Sequence, residues 1–310
     1  MNILVTGAAG FIASHLIEKL LENNSNNIIG IDNFYSGSRK NLEFIANIDE
    51  FKKFKFIECD IRDFVKLNQI IKDYSIEQIY HLAAFVSVQD SIKNPLVSHE
   101  INVKGSLNIL EASRLNCVKK IVFSSSAAVY GDEKDLPKNE NSSMHPISPY
   151  GHEKLVAEYY MRLYNELYGL ETITLRYFNV YGPRQSANSD YSGVISIFEK
   201  NFKENKASNI YGSGEQYRDF IYVKDVADIN IAAMKFKSSK YEVFCVGTGQ
   251  KVSINQIFNL LNKKYDKSMI ANYLPSRKGD IKESLCNNFK LKSKIKIEKL
   301  ISFEEGILKI

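Results

Sequence analysis
The sequence predicts an α/β fold, a doubly wound parallel sheet with a smaller second α/β domain packed on it. Three observations lead there. Short apolar runs rich in β-branched residues alternate with segments whose apolar residues recur at spacings of three and four, strand then helix through the first half of the chain. Several of the strand-like runs, such as NILVT and IIGID, are apolar with few polar breaks, as parallel strands covered on both faces require. At 310 residues the chain can bury a core larger than a minimal domain supplies.

The elements follow in order. NILVT opens as a buried strand and FIASHLIEKLLEN reads as the helix after it; the polar NNSNN is the loop to the second strand, IIGID. KFKFIECD, QIYHLA, KIVFSSS and TITLRYFN are the further strands. VKLNQIIKDYS, VSHEINVKGSLNILEASRLN and YGHEKLVAEYYMRLYNELYG are the helices between them. Beyond Asn179 the rhythm changes. VYGPRQSANSDYSG is loop-like, Val194 to Phe202 has helical spacing, and EQYRDFIYVKDVADINIAAMK returns to strand and helix. The tail from about Val252 to Ile310 mixes a short helix with irregular Lys-rich stretches. The predicted division is a sheet domain over residues 1–178 with a returning segment at about 219–247, and a second domain from about 179–218 and 248–310. No internal repeat or low-complexity linker separates them.

Composition excludes several classes. The net charge of +5 is spread along the chain, and no basic stripe interleaved with aromatics offers a nucleic-acid surface. Cys59, Cys117, Cys245 and Cys286 lie far apart, with no Cys-x-x-Cys and no nearby His pair. Neither a metal site nor a disulfide framework is expected, and the thiols read as buried. The apolar N-terminal run carries His15, Glu18 and Lys19, and no uncharged run approaches the length of a membrane span, so a cytoplasmic protein without membrane contact is expected.

Gly7 and Gly10 follow a strand and open an amphipathic helix. In that context glycines let the backbone approach a pyrophosphate at the helix N-terminus, where unpaired N–H groups favour negative charge. Ala13, third in Gly-x-x-Gly-x-x-Ala, is small enough for the helix to sit close on the sheet. The same glycines would also serve a tight turn. Asp32 ends the second strand 22 residues after Gly10, where a carboxylate accepts bonds from an adenosine ribose and repels a 2′-phosphate; otherwise it is a turn aspartate. The expected cofactor is NAD rather than NADP, with Arg39 and Lys40 as the features on the other side of that choice.

SPYGHEK carries Tyr150 and Lys154, four apart behind Pro149, a residue suited to a first helical turn. An ammonium about 5 Å from the phenol, at an effective dielectric near 20, contributes roughly 3 kcal/mol, or about two pKa units. That brings Tyr150 toward the range of a general base, and a bound nicotinamide cation pushes the same way. Alone, the pair also fits an exposed helix face. Ser124, Ser125 and Ser126 leave a buried strand where open α/β sheets bind ligands, and a hydroxyl there can hold a substrate alcohol beside Tyr150.

These residues resemble the extended short-chain dehydrogenase/reductase family, and more closely its nucleotide-sugar epimerases. GAAGFIASHL, DN at Asp32 and Asn33, CDIRD, HLAA, NVKGSLNIL, SSSAAVYG, YGHEK, RYFNVYGPRQ, YGSGEQYRDFIYVKDVA, RKGD and SFEEG stand in the family's order over nearly the whole chain. The resemblance implies a Rossmann-type NAD-binding domain and a UDP-sugar domain. It makes Tyr150 the base, Lys154 its partner and ligand to the nicotinamide ribose, and Ser126 the hydroxyl at the reacting centre. Asn102 is similar to the asparagine that supports the site. Gly7, Gly10, Phe11, Ile12, Asp32, Asn33, Asp60 and Ile61 match cofactor positions. Asn179, Arg218, Arg277 and Asp280 match positions that hold the nucleotide diphosphate and its uridine, although Arg218 and Asp219 could form a surface ion pair instead.

Similar 4,6-dehydratases carry Thr-Asp-Glu where this chain has Ser126, Ala127 and Ala128, so the acids that expel the C6 hydroxyl are missing. The resemblance therefore implies a UDP-sugar 4-epimerase: Tyr150 takes the 4-hydroxyl proton, hydride passes to NAD, and the 4-keto sugar turns over and receives it on its other face. Ser284 matches a gatekeeper whose small size leaves room for an acetamido group, with Ser87 and Gln89 as polar neighbours. UDP-glucose and UDP-N-acetylglucosamine are both expected substrates. UDP-glucuronic acid, a reductase or 4,6-dehydratase reaction, and a non-catalytic NAD-binding regulator are the alternatives. The resemblance also implies a homodimer through the helices beginning near Val97 and Tyr150.

Overall fold
A computed structural model describes residues 1–22, 26–47, 53–186, 193–276, 283–297 and 299–310, without the side chains of residues 44–47. The chain runs β1 (Asn2–Thr6), α1 (Phe11–Leu21), β2 (Asn27–Asp32), a 3-10 helix (Arg39–Asn47), β3 (Phe54–Glu58), α2 (Phe64–Asp73) and β4 (Gln78–His81). Next come α3 (Val88–Lys93), α4 (Pro95–His99), a π-helical stretch (Glu100–Lys104), α5 (Gly105–Leu115), β5 (Lys120–Ser126), a 3-10 turn (Ala127–Tyr130), α6 (Pro149–Tyr168) and β6 (Glu171–Tyr177). It continues through β7 (Asn179–Tyr181), α7 (Val194–Lys203), β8 (Asn209–Tyr211), β9 (Tyr217–Arg218), β10 (Phe220–Tyr222) and α8 (Val223–Lys235). The last elements are β11 (Glu242–Val246), β12 (Val252–Ser253), α9 (Ile254–Lys264), β13 (Asn272–Leu274), α10 (Phe289–Lys294) and α11 (Phe303–Leu308).

Seven strands form one parallel sheet in the order β11-β6-β5-β4-β1-β2-β3, the doubly wound arrangement that the sequence predicts. Its inner strands are largely buried because each face has its own layer of helices, whereas the edge strand β3 is only partly buried. Ile3 and Val5 of β1 point into the core under α1 and α8, whereas Leu4 points into the core under α2, α5 and α6. Local chemistry sets the helix ends. Asp63 caps α2 by accepting the Lys66 N–H, and Ser148 caps α6, where Pro149 takes the first turn; Gly169 ends α6 in the left-handed region.

Three sequence expectations change. Cys117 is exposed on the turn after α5, whereas the other three thiols are buried as expected. The other two concern elements. β11 pairs with β6 as a seventh sheet strand inside the returning segment, where the sequence reading names no separate strand. The tail is more regular than predicted: α9 and α11 each begin with a capping box, Ser253 with Gln256 and Ser302 with Glu305, and β13 pairs with β8. A separate core gathers Tyr181, Phe198, Phe202, Phe220, Phe258 and Phe303. A small cluster of Val129, Tyr130, Leu155, Phe178, Cys245 and Cys286 brings residues near the ends of β5, β6 and β11 together with the C-terminal loop.

Candidate active site
The strand order reverses between β1 and β4, and the predicted residues gather beyond the carboxyl ends of the strands on both sides of that point. Gly7 leaves β1 with a φ of +69°. A Cβ there would lie 2.9 Å from the backbone N and Cα of Ala83. The Gly10 N–H closes the turn onto the Gly7 carbonyl at 2.8 Å, and Gly10 is the N-cap of α1 with no side chain to occupy the helix's free N–H groups. Phe11 and Ile12 form the half-buried first turn, with Ala13 buried behind them. The glycine positions therefore form a cradle that side chains would fill, and it fits a dinucleotide pyrophosphate.

Asp32 is buried at the end of β2, where its Oδ2 accepts the Ala9 N–H at 3.0 Å and its Oδ1 accepts the Phe34 N–H at 2.7 Å. Burial raises its pKa while these amides pull it down. Each oxygen retains a second acceptor site for a ribose hydroxyl. Asn33 donates to Asp60 at 2.8 Å, and Asp60 is clamped by Arg62, whose hydrogen bonds hold it down to about 2. Ile61 packs where a Cβ on Gly105 would stand. Gly7, Asp32, Asn33, Asp60, Ile61 and Ala83 contribute to the lining of one small cavity beside the glycine turn.

On the other side of the reversal, Tyr150 stands in the first turn of α6, its backbone N–H donating to Ser91 of α3 at 3.2 Å. Its phenol lies beside the Ser126 hydroxyl, near enough for that hydroxyl to bear on its titration. Ser126 Oγ also accepts the Ala128 N–H at 3.1 Å, which fixes the hydroxyl at the mouth of β5. Lys154 is buried one turn on and donates to the Ser124 carbonyl at 2.8 Å, 6.0 Å from the centre of the Tyr150 ring. Burial pushes Lys154 down to about 8, against Glu158 and Glu153, which hold it up. The Tyr150 phenol is pushed up by burial, with the Ser126 hydroxyl pulling it back. The lowering expected from the i, i+4 spacing is therefore reversed in sign. The ammonium is turned onto a carbonyl, and desolvation of the phenol outweighs what remains.

Asn102 lies in the π-helical stretch, a local widening that occurs at functional sites. Its Oδ1 accepts the Phe85 N–H at 2.9 Å, and its Nδ2 donates to the Phe85 carbonyl at 3.1 Å and to Glu153 at 2.8 Å. It thereby ties the exit of β4 to α6. Next to it is a relay that sequence reading missed. Thr6 Oγ1 accepts the Leu82 and Ala83 N–H groups, so its proton goes to His81 Nδ1 at 2.8 Å. Ser106 donates to the Asn102 carbonyl, so it accepts from His81 Nε2 at 3.0 Å. His81 is thus a neutral Nε2–H tautomer, and burial, with a contribution from Lys154, lowers it to about 3. Glu153 and Glu158 were also missed. The i, i+4, i+8 series Tyr150, Lys154 and Glu158 is the signal that could have found the latter.

The His81 shift makes a pH prediction. An unfolded histidine binds its proton near 6.5, whereas folded His81 binds it only near 3. Stability is therefore unaffected above pH 6.5 and falls as pH drops toward 3, by about 1.4 kcal/mol at pH 5.5. Urea midpoints at pH 7.5 and 5.5 should differ less in His81→Asn than in the natural chain; equal differences would remove His81 as the cause.

On the substrate side, the Asn179 backbone N–H and Nδ2 both donate to the Asp219 carbonyl at 3.0 Å. The Asp219 carboxylate is buried and accepts from Thr248 N–H and Oγ1, Gly249 N–H and Cys286 N–H at 2.7–3.1 Å, while Arg218 donates to the Tyr217 carbonyl. Asp219 thus holds the Thr248–Gly249 turn and the C-terminal loop together. Ser284 is half-buried on that loop, its N–H donating to the Tyr217 carbonyl at 3.2 Å beside Arg218. Ser87 caps α3 by accepting the Asp90 N–H, and Gln89 is exposed on that helix. Arg277 and Asp280 lie outside the described residues. Among the described residues no cluster of His, Cys, Asp and Glu is arranged to hold a metal, and no helix is long and apolar enough to cross a membrane.

A glycine turn at the switch point, and Ser126, Tyr150 and Lys154 gathered at the end of β5, suit an enzyme that binds a dinucleotide. Residues 3–247 match the NAD dependent epimerase/dehydratase family. A putative UDP-glucose 4-epimerase of Methanocaldococcus jannaschii is 42% identical, the match covering 90% of this chain and 87% of that one. The solved UDP-glucose 4-epimerase of Thermotoga maritima, with UDP-glucose, is 39% identical with a TM-score of 0.92, covering 100% of this chain and 97% of that chain. A UDP-N-acetylglucosamine 4-epimerase from Methanobrevibacter ruminantium M1, in complex with UDP-N-acetylmuramic acid, is 37% identical with a TM-score of 0.92, covering 99% and 96%. The chain belongs to the NAD-dependent epimerase/dehydratase family, among its UDP-sugar 4-epimerases, isomerases that use NAD.

Proposed function
We propose that the chain interconverts UDP-glucose with UDP-galactose, and UDP-N-acetylglucosamine with UDP-N-acetylgalactosamine, at C4 through a transient 4-keto sugar. The observation that carries the reading is the Ser126 hydroxyl set beside the Tyr150 phenol, with Lys154 one turn on and alanines at 127 and 128. Tyr150 removes the C4 hydroxyl proton and later returns it; Ser126 orients that hydroxyl; Lys154 keeps a positive charge beneath the pair. Gly7, Gly10, Phe11, Ile12, Asp32, Asn33, Asp60 and Ile61 would hold NAD, with Lys154 and Asn102 at its nicotinamide end. Bound there, NAD supplies a hydride acceptor and donor for the sugar carbon. Asn179, Arg218, Arg277 and Asp280 grip the diphosphate and uridine, and Ser284 and Ser87 face the sugar. Ala127 and Ala128 carry no acid to protonate and expel a C6 hydroxyl, which favours epimerisation over dehydration.

The same reading includes a division of labour in which residues 1–178 and about 219–247 hold NAD and about 179–218 and 248–310 hold the UDP-sugar. It also includes a homodimer. Tyr159, Leu163 and Leu167 form an exposed i, i+4, i+8 apolar stripe on α6, while Tyr164 is buried within the protomer. Four unpaired cysteines suit a reducing, cytoplasmic setting.

The test is proton NMR of the purified protein with no cofactor added, incubated separately with UDP-glucose, UDP-N-acetylglucosamine and UDP-glucuronic acid. Galacto anomeric signals from the first two support the reading; conversion of UDP-glucuronic acid alone replaces it. Ser284→Tyr should slow the acetylated sugar about tenfold or more while sparing UDP-glucose, an effect of roughly 1.4 kcal/mol from lost room. Equal loss on both sugars would remove Ser284 as the gatekeeper.

A further inference from the structure
We infer that Glu158 is a positioning residue for the Tyr150–Lys154 pair: its buried carboxylate, clamped by Arg176 and Ser125, locks α6 against the end of β5 and sets the charge around Lys154. The inference rests on the site reading above. Each serine of the Ser124–Ser126 run meets one turn of α6. Ser126 lies beside the Tyr150 phenol, the Ser124 carbonyl accepts Lys154, and the Ser125 hydroxyl donates to Glu158. Glu158 is then held from β6 by Arg176, whose Nε lies at 3.0 and 3.2 Å and Nη2 at 2.7 Å, with both side chains 3% exposed. Arg176 continues to the Tyr130 hydroxyl at 2.9 Å and the Glu140 carbonyl at 3.2 Å, so the clamp also fixes the 3-10 turn that follows Ser126.

A buried ion pair is a costly way to hold a helix, because desolvation offsets much of its attraction. Here it puts a carboxylate one turn from a buried ammonium. The groups facing Lys154 are Tyr150, Glu153 and Glu158 on its own helix, neutral His81 from β4, and the Phe123 ring from β5. Those facing Glu158 are Arg176 from β6, Ser125 from β5 and Tyr241 ahead of β11. Of the charges that hold the Lys154 proton on, Glu158 is the strongest.

The experiment compares Glu158→Gln with the double variant Glu158→Leu/Arg176→Met, which removes both charges and so avoids a stranded guanidinium. Lysine-labelled protein is titrated by 13Cε NMR, the Lys154 signal being assigned by its absence in Lys154→Met. Thermal melting is recorded alongside, and kcat is measured against pH. The Lys154 midpoint should fall in both variants, by up to about one unit in Glu158→Gln, where the Arg176 charge is left uncompensated. It should fall by less in the double variant, even where that variant melts like the natural protein. The alkaline limb of kcat should move down with it. An unmoved midpoint in a stably folded double variant would make the clamp purely structural and overturn the inference. Because the NMR titration needs no sugar, a protein that turns over none of the tested substrates would sink the substrate reading and leave this one judged on its own result.

Discussion
Tyr150→Phe should leave the protein folded, with NAD still bound, and cut epimerisation by about 10²–10⁴-fold, the usual worth of a positioned acid or base. The change removes one oxygen and nothing else. The ring remains packed where Tyr150 is 9% exposed, the backbone N–H keeps its bond to Ser91, and Lys154 keeps the Ser124 carbonyl. Ser126 retains the Ala128 N–H, so its hydroxyl stays in place but has no base to pass a proton to. Bound cofactor is measured as NAD released on acid denaturation, and turnover by the NMR assay. A variant working at the natural rate would remove Tyr150 from the chemistry. One that loses NAD along with activity would instead make the phenol part of the cofactor cradle.

Tyr150, Lys154, Ser126, Gly7 and Gly10 were legible because each owes its place to local geometry: a helix repeat, a strand end, or a turn that needs a missing side chain. The inner strands were legible for a similar reason, since burial on both faces leaves a mostly apolar run. β11 was not named as a strand; its pairing with β6 marks it as one. The buried polar network escaped because its partners are distant in sequence. His81 bonds Thr6 75 positions away, and Asn102 bonds Glu153 51 positions away. The sign of the Tyr150 shift was lost for a related reason: spacing reports the neighbouring charge but not the desolvation that opposes it. Arg218 and Asp219, adjacent in sequence, looked able to pair, yet Asp219 is spent on amides from two other segments.

Gly7→Ala carries the largest expected effect on cofactor retention. Two costs add at this position. The left-handed backbone costs any L side chain roughly 1–2 kcal/mol, and the new Cβ would stand 2.9 Å from the N and Cα of Ala83. That neighbour cannot easily retreat. The Leu82 and Ala83 amides are fixed on Thr6 Oγ1, and the loop beyond is fixed on Asn102 through Phe85. The strain therefore falls on the glycine turn, tilting the free N–H groups of α1 away from the pyrophosphate. Purified Gly7→Ala should carry less than about a tenth of the NAD of the natural protein, a loss of roughly 1.4 kcal/mol or more in affinity, and should melt a few degrees lower. Gly169→Ala separates the two costs. Gly169 has a φ of +68° at the end of α6, but a Cβ there meets nothing within 4 Å. It should lose comparable stability from the backbone conformation alone and keep its NAD in full. Equal retention of NAD in the two variants would mean that Gly7 is needed only to turn the chain, and the phosphate cradle would have to be sought elsewhere along the carboxyl edge of the sheet.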